Sequence, residues 1–131
     1  MQRETLKSPP DGPQHGQGMV PGVRAGGLLF FSAIRGNHPQ THEWSDDTEE
    51  QARQALENLR MLLEANGATL QHVVKVTLYL HKLKYRTAFH KVWMEYFPEN
   101  PPARIALEVA DANSSPRGNA HFALDVIALA P

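Results

Sequence analysis

Between Ser45 and Gly67 the residues specify a helix, its two ends and its buried face. Ser45, Asp46 and Asp47 offer side-chain oxygens to the first free N–H groups, and Glu49 and Glu50 put negative charge on the positive end of the helix dipole. Ala52, Ala55, Leu56, Leu59, Leu62 and Leu63 recur at steps of three and four, so one face must be covered. Asn66-Gly67 ends the run as a left-handed cap. Such a helix draws most of its stability from whatever packs on its apolar stripe. The flanking sequence must supply that surface, and it reads as strands.

Met19-Val20 and Val23 predict a short first strand, and Gly26-Gly27 a hairpin turn. Leu28 to Ile34 is a nearly continuous apolar strand, the pattern of a strand covered on both faces. Arg35 to Trp44 is a loop marked by Gly36, Asn37 and Pro39. After the helix, Val74, Val76, Leu78 and Leu80 alternate with Val73, Lys75, Thr77 and Tyr79 in a third strand. A second helix, roughly Tyr85 to Phe97, carries Phe89, Val92, Trp93, Tyr96 and Phe97 on its apolar side, and Pro98 with Pro101-Pro102 stops it. In the strand from Ala103 to Ala110, Ile105, Leu107 and Val109 point one way and Arg104, Ala106 and Glu108 the other. A polar loop, Asp111 to Asn119, leads to a last strand in which Phe122, Leu124 and Val126 alternate with Ala123, Asp125 and Ile127.

The order β-β-α-β-α-β-β predicts an α+β domain with both helices on one face of a sheet. The opposite face must meet something, and identical subunits are the simplest partner. An oligomer is therefore expected on packing grounds. Residues 1–17, rich in glycine, proline and charge, read as a flexible leader, and residues 18–131 as a single domain.

Composition narrows the function. A net charge of −1 offers no basic excess to neutralise phosphates, which argues against a nucleic-acid partner. No run of about eighteen apolar residues is present to span a membrane, and the N-terminus lacks the apolar centre of a signal peptide. With no cysteine there is no disulfide framework, thiol nucleophile or thiolate metal site, and a cytoplasmic address is expected. Among the seven histidines, His38 and His42 lie four apart in a loop without the accompanying carboxylates of a helical metal motif, so no metal and no cofactor are expected.

Four segments in order resemble the YjgF/RidA (Rid) family: Glu50 to Leu59, Leu63 to Ala68, Val73 to Leu80, and Pro102 to Ala110. The similarity runs from about Val20 to Leu129. It implies a chorismate-mutase-like fold and a homotrimer, with sheets forming a central barrel, helices outside, and sites in the clefts between subunits. The best-known members hydrolyse 2-imino and enamine acids to 2-keto acids and ammonia. By that resemblance Arg104 holds the carboxylate of a small metabolite, which suits a guanidinium at the start of a strand. Main-chain groups at Ser32, Ala33 and Ile34 would contact the reacting end.

The chain departs from the family pattern where a last-strand glutamate positions water, since Ala123 falls there. Ser32-Ala33-Ile34 replaces Ser-Gly-Gln, Met19 falls near the usual tyrosine, and His90 replaces an asparagine on the second helix. The loop before the last strand is also about four residues longer than the family's, by comparison with the resemblance. Asp125, His121 and Ala123 share one face of the last strand by alternation, so Asp125 or His121 could supply the missing acid or base. The alternatives are an exposed His121, an ion-paired Asp125, and a packing role for His90. Glu108 shares the face of Arg104 and could pair with it. Two functions stay open: a hydrolase or deaminase of a carboxylate-bearing imine or enamine, and a trimer that has lost the chemistry and binds a small carboxylate.

Overall fold

The long helix forms where its caps predict. In the computed structural model, which describes residues 2–131, helix α1 spans Thr48–Ala65. The Asp47 carboxylate accepts the Glu49 N–H at 2.8 Å, and Gly67 takes φ +81° just past the end. Its buried side holds the six predicted apolar residues together with Gln51 and Asn58.

Six strands make one sheet: β1 (Glu4–Thr5), β2 (Gly22–Ala25), β3 (Leu28–Phe31), β4 (Val73–Leu80), β5 (Ala103–Glu108) and β6 (Phe122–Leu129). Their order is β1-β2-β3-β6-β4-β5. β4 and β5 run parallel and are joined through the second helix, α2 (Arg86–Tyr96); the other neighbours are antiparallel. Both helices cover one sheet face. Leu29, Val76, Leu78, Leu80, Phe122, Leu124 and Val126 point into that core against Leu56, Leu59, Leu62, Leu63 and Phe89. Each fully buried leucine contributes about 2 kcal/mol there.

Direct pairing places Leu28 and Phe30 beside Leu129 and Ile127, and Thr77 and Tyr79 beside Ile105 and Leu107. These residues lie on the face without helices. Phe30 is 41% exposed, Ile105 54%, Leu107 40% and Leu129 48%. The expectation that β3 is covered on both faces is therefore not met within one chain.

The expected flexible leader needs correction. Glu4–Thr5 pairs with Val23 and Arg24, and Leu6 is buried against Gly22, where the missing side chain leaves it room. The Lys7 N–H donates to Asn66 Oδ1 at 2.8 Å, and Asn66 Nδ2 donates back to the Lys7 carbonyl at 2.8 Å. This contact reaches across nearly sixty residues, which no local pattern could announce. The sheet thereby gains a strand ahead of those predicted, and the strand expected at Met19-Val20 begins instead at Gly22.

Candidate functional site

Alternation along β5 puts Arg104 on the helix-covered face, at the sheet edge beside α2. Its guanidinium carbon lies 4.8 Å from the centre of the buried Trp93 ring, a cation–π stack. Arg104 Nη2 is 3.0 Å from His90 Nδ1. A guanidinium only donates, so His90 accepts at Nδ1 and carries its proton on Nε2. Trp93 and His90, one turn apart on α2, thus fix the plane of the guanidinium. Nη1 is buried with no hydrogen-bond partner among the described residues. Burial, then the like charge of Arg86, lowers the pKa of Arg104. An incoming carboxylate would relieve both costs. Glu108 does not supply one: its Oε1 accepts the Leu83 N–H at 2.8 Å, so the expected same-face pair with Arg104 does not form.

A second feature lies at the end of β3. Ser32 donates through Oγ to the Val20 carbonyl at 2.7 Å. Ile34 exchanges both main-chain hydrogen bonds with Leu124, at 2.9 and 2.8 Å, so its main chain is not free for a ligand. The main chain of exposed Ala33 makes no hydrogen bond among the described residues and is the group left open. Beside it is a cavity of about 420 Å³, which Ser32, Ala33, Ile34, Met19 and Arg35 help to line. β3 and β5 stand three strand spacings apart, about 14 Å. One chain therefore does not bring Ser32–Ile34 to Arg104.

The last-strand candidates are not brought together either. His121 precedes β6, so strand alternation does not reach it. It is buried, at 8% exposure, rather than exposed. Its N–H donates to Gln51 Oε1 at 3.0 Å, its Nδ1 lies 2.8 Å from Thr48 Oγ1, and its ring stacks on Tyr85 with centroids 4.1 Å apart. Its carbonyl accepts from His81 N–H, and His81 lies five residues beyond Val76, the partner of Arg104, or about 16 Å along β4. Asp125 is exposed and pairs with Thr77 on the helix-free face, opposite Arg104, and makes no ion pair among the described residues. Ala123 is buried with Ala112 and Ala120 under Trp44 and Val109. The position has no group to move a proton, and neighbouring side chains close over it.

Burial lowers the pKa of His121 from its ordinary value of 6.5; Asp46 pulls it back, His81 and Lys84 push it down, and Asp47 opposes them. Below 6.5 the folded chain then binds fewer protons than the unfolded one. The stability carried by neutral His121 is present above that pH and is lost as pH falls through the folded value. Thermal unfolding is expected to show a midpoint that falls as the pH drops below 6.5, with a shallower fall in His121→Gln.

Sequence reasoning missed Arg35, Asn58 and Gln51. Asn58 is buried and donates to the carbonyls of Arg35 and Asn37, at 2.9 and 3.0 Å. Gln51 donates to the Ser45 and Asn119 carbonyls, each at 2.7 Å. The available signal was two polar residues on the apolar stripe of α1, since a buried amide must find partners.

The family model described as Endoribonuclease L-PSP matches residues 12–129. A RutC family protein of Pyrococcus horikoshii is 40% identical over 89 residues, 67% of this chain and 71% of the other. The chloroplastic Reactive Intermediate Deaminase A of Arabidopsis thaliana is 35% identical over 89 residues, 67% of this chain and 48% of the other. The crystal structure of Escherichia coli TdcF with bound serine matches at a TM-score of 0.85 and 25% identity, covering 96% of this chain and 98% of that one.

Proposed function

The chain belongs to the YjgF/RidA family, the one described as Endoribonuclease L-PSP, and on that premise we propose that it is a deaminase of small 2-imino or enamine acids. The observation that carries this reading is Arg104: a guanidinium fixed by Trp93 and His90, with a buried Nη1 that has no partner. It offers a carboxylate parallel N–H bonds in a partly dry site, where charge-assisted bonds are strongest. A relative named as a reactive intermediate deaminase and another crystallised with serine agree with a small carboxylate ligand.

The site forms between subunits of a homotrimer. The separation of Ala33 from Arg104 within one chain supports this, as does the apolar, helix-free sheet face, which trimerisation would cover. One subunit's Arg104 holds the carboxylate while a neighbour's Ala33 main chain meets the imine end. Water adds to the electrophilic imine carbon to give a carbinolamine. Its C–N bond then breaks, releasing ammonia and leaving the 2-keto acid. An activated carbon needs mainly orientation, which this arrangement supplies.

The closed, protonless surroundings of Ala123 favour a second reading, a trimer that binds the carboxylate without turning it over. The assay that separates the two generates imines in situ from several amino acids and follows ammonia or keto acid. Hydrolysis above the uncatalysed rate supports the deaminase. A silent chain that still binds pyruvate or serine by calorimetry supports the binding trimer.

A further inference from the structure

The cavity beside Ala33 has a charge character that the family reading leaves unexplained. Arg35 lines it, and neither aspartate nor glutamate does. The main chain around Arg35 is rigid. Asn58 holds the carbonyls on both sides of Gly36, and Gly36 lies so close to the Gln51 main chain that a β-carbon would collide with it. The guanidinium is anchored at one point, where Nε donates to the Ala112 carbonyl at 2.6 Å. Its two Nη groups make no hydrogen bond, and no carboxylate lies within ion-pairing distance among the described residues. Asp111 is the acid that acts on it electrostatically, but Asp111 Oδ1 is already taken by the main-chain and side-chain N–H groups of Asn113, at 2.9 and 2.8 Å. His15 lines the same cavity, with a buried Nδ1 that has no partner.

A half-buried cation with a fixed anchor, free donors and an acid-free cavity is built to receive an anion. We propose that this cavity takes a second carboxylate, so that the preferred ligand is a dicarboxylate and the substrate is the imine of an acidic amino acid. The identification of the substrate rests on the deaminase reading; the anion site itself does not. Arg104 of one subunit would take the carboxylate next to the imine carbon, Ala33 would meet the imine, and the side-chain carboxylate would run on to Arg35. A cavity of about 420 Å³ has room for such a chain.

The test titrates the full chain with succinate, glutarate and propionate by calorimetry, in wild type and Arg35→Met, alongside hydrolysis of imines made from aspartate, glutamate and alanine. The expected result is a preference of at least about tenfold for the dicarboxylates in wild type, lost in Arg35→Met while propionate binding holds. The KM for the acidic imines should rise by a similar factor, with the alanine imine little changed. A purely structural Arg35 would weaken all ligands together. Equal wild-type binding of succinate and propionate overturns the proposal even if Arg35→Met does not fold. Dicarboxylate binding that depends on Arg35 without any imine hydrolysis upholds the anion site and rejects the deaminase reading.

Discussion

Arg104→Ala is expected to cut kcat/KM roughly a hundredfold for every imine acid, whatever its side chain. On the proposed reading the variant removes the donor fork that holds the carboxylate next to the reacting carbon, in a setting where burial and Arg86 already disfavour the lone cation. Truncating one partner of a buried charge pair costs about 3 kcal/mol, which is roughly a hundredfold in kcat/KM. Arg104→Lys should recover only part of this, because an ammonium keeps the charge but loses the parallel fork and the stack on Trp93. Folding should be nearly intact, since Arg104 makes no ion pair among the described residues and its hydrogen bond goes to exposed His90. Wild-type turnover surviving in Arg104→Ala would reject the assigned role.

Ile105→Asp should be as severe by a different route. Ile105 lies next to Arg104 in sequence but points to the opposite sheet face, among Thr77, Tyr79 and Leu107. At 54% exposure it is the most open large apolar residue of the sheet. If three copies close this face into a barrel, the variant buries an unpaired carboxylate there, which an interface does not tolerate. Light scattering should find a trimer in wild type and a monomer in Ile105→Asp, with hydrolysis at background because the proposed site is shared by two chains. Circular dichroism should stay close to wild type, since the helix-covered core is untouched. A monomeric wild type that hydrolyses imines would overturn both the trimer and the shared site.

Much of this architecture was readable from local patterns. The caps and stripe of α1, the exact span of β4, the hairpin at Gly26-Gly27 and the alternation that sets Arg104 and Ile105 on opposite sides of β5 each follow from rules acting over a few residues. The site was legible only in part. Arg104 stood out because a family motif surrounds it, and His90 was named for the same reason and proved to touch it. Arg35 carried no signal, since an arginine in a loop is ordinarily solvated; its restraint comes from Asn58 and Ala112, distant in sequence. His121 and Asp125 were paired by extending strand alternation past the strand's true start at Phe122.

The sequence by itself determined the element types, the buried stripe of α1 and which residues share a side of each strand. These depend on periodicity and capping, which are properties of neighbouring residues. Only the tertiary structure decided that Leu6 joins the core and the Lys7 main chain pairs with Asn66, that β6 inserts between β3 and β4, that Arg104 faces the helices, and that Arg35 is held beside an acid-free cavity. Each of those depends on contacts between residues far apart in the chain, formed because buried amides and apolar side chains must find partners wherever the fold presents them.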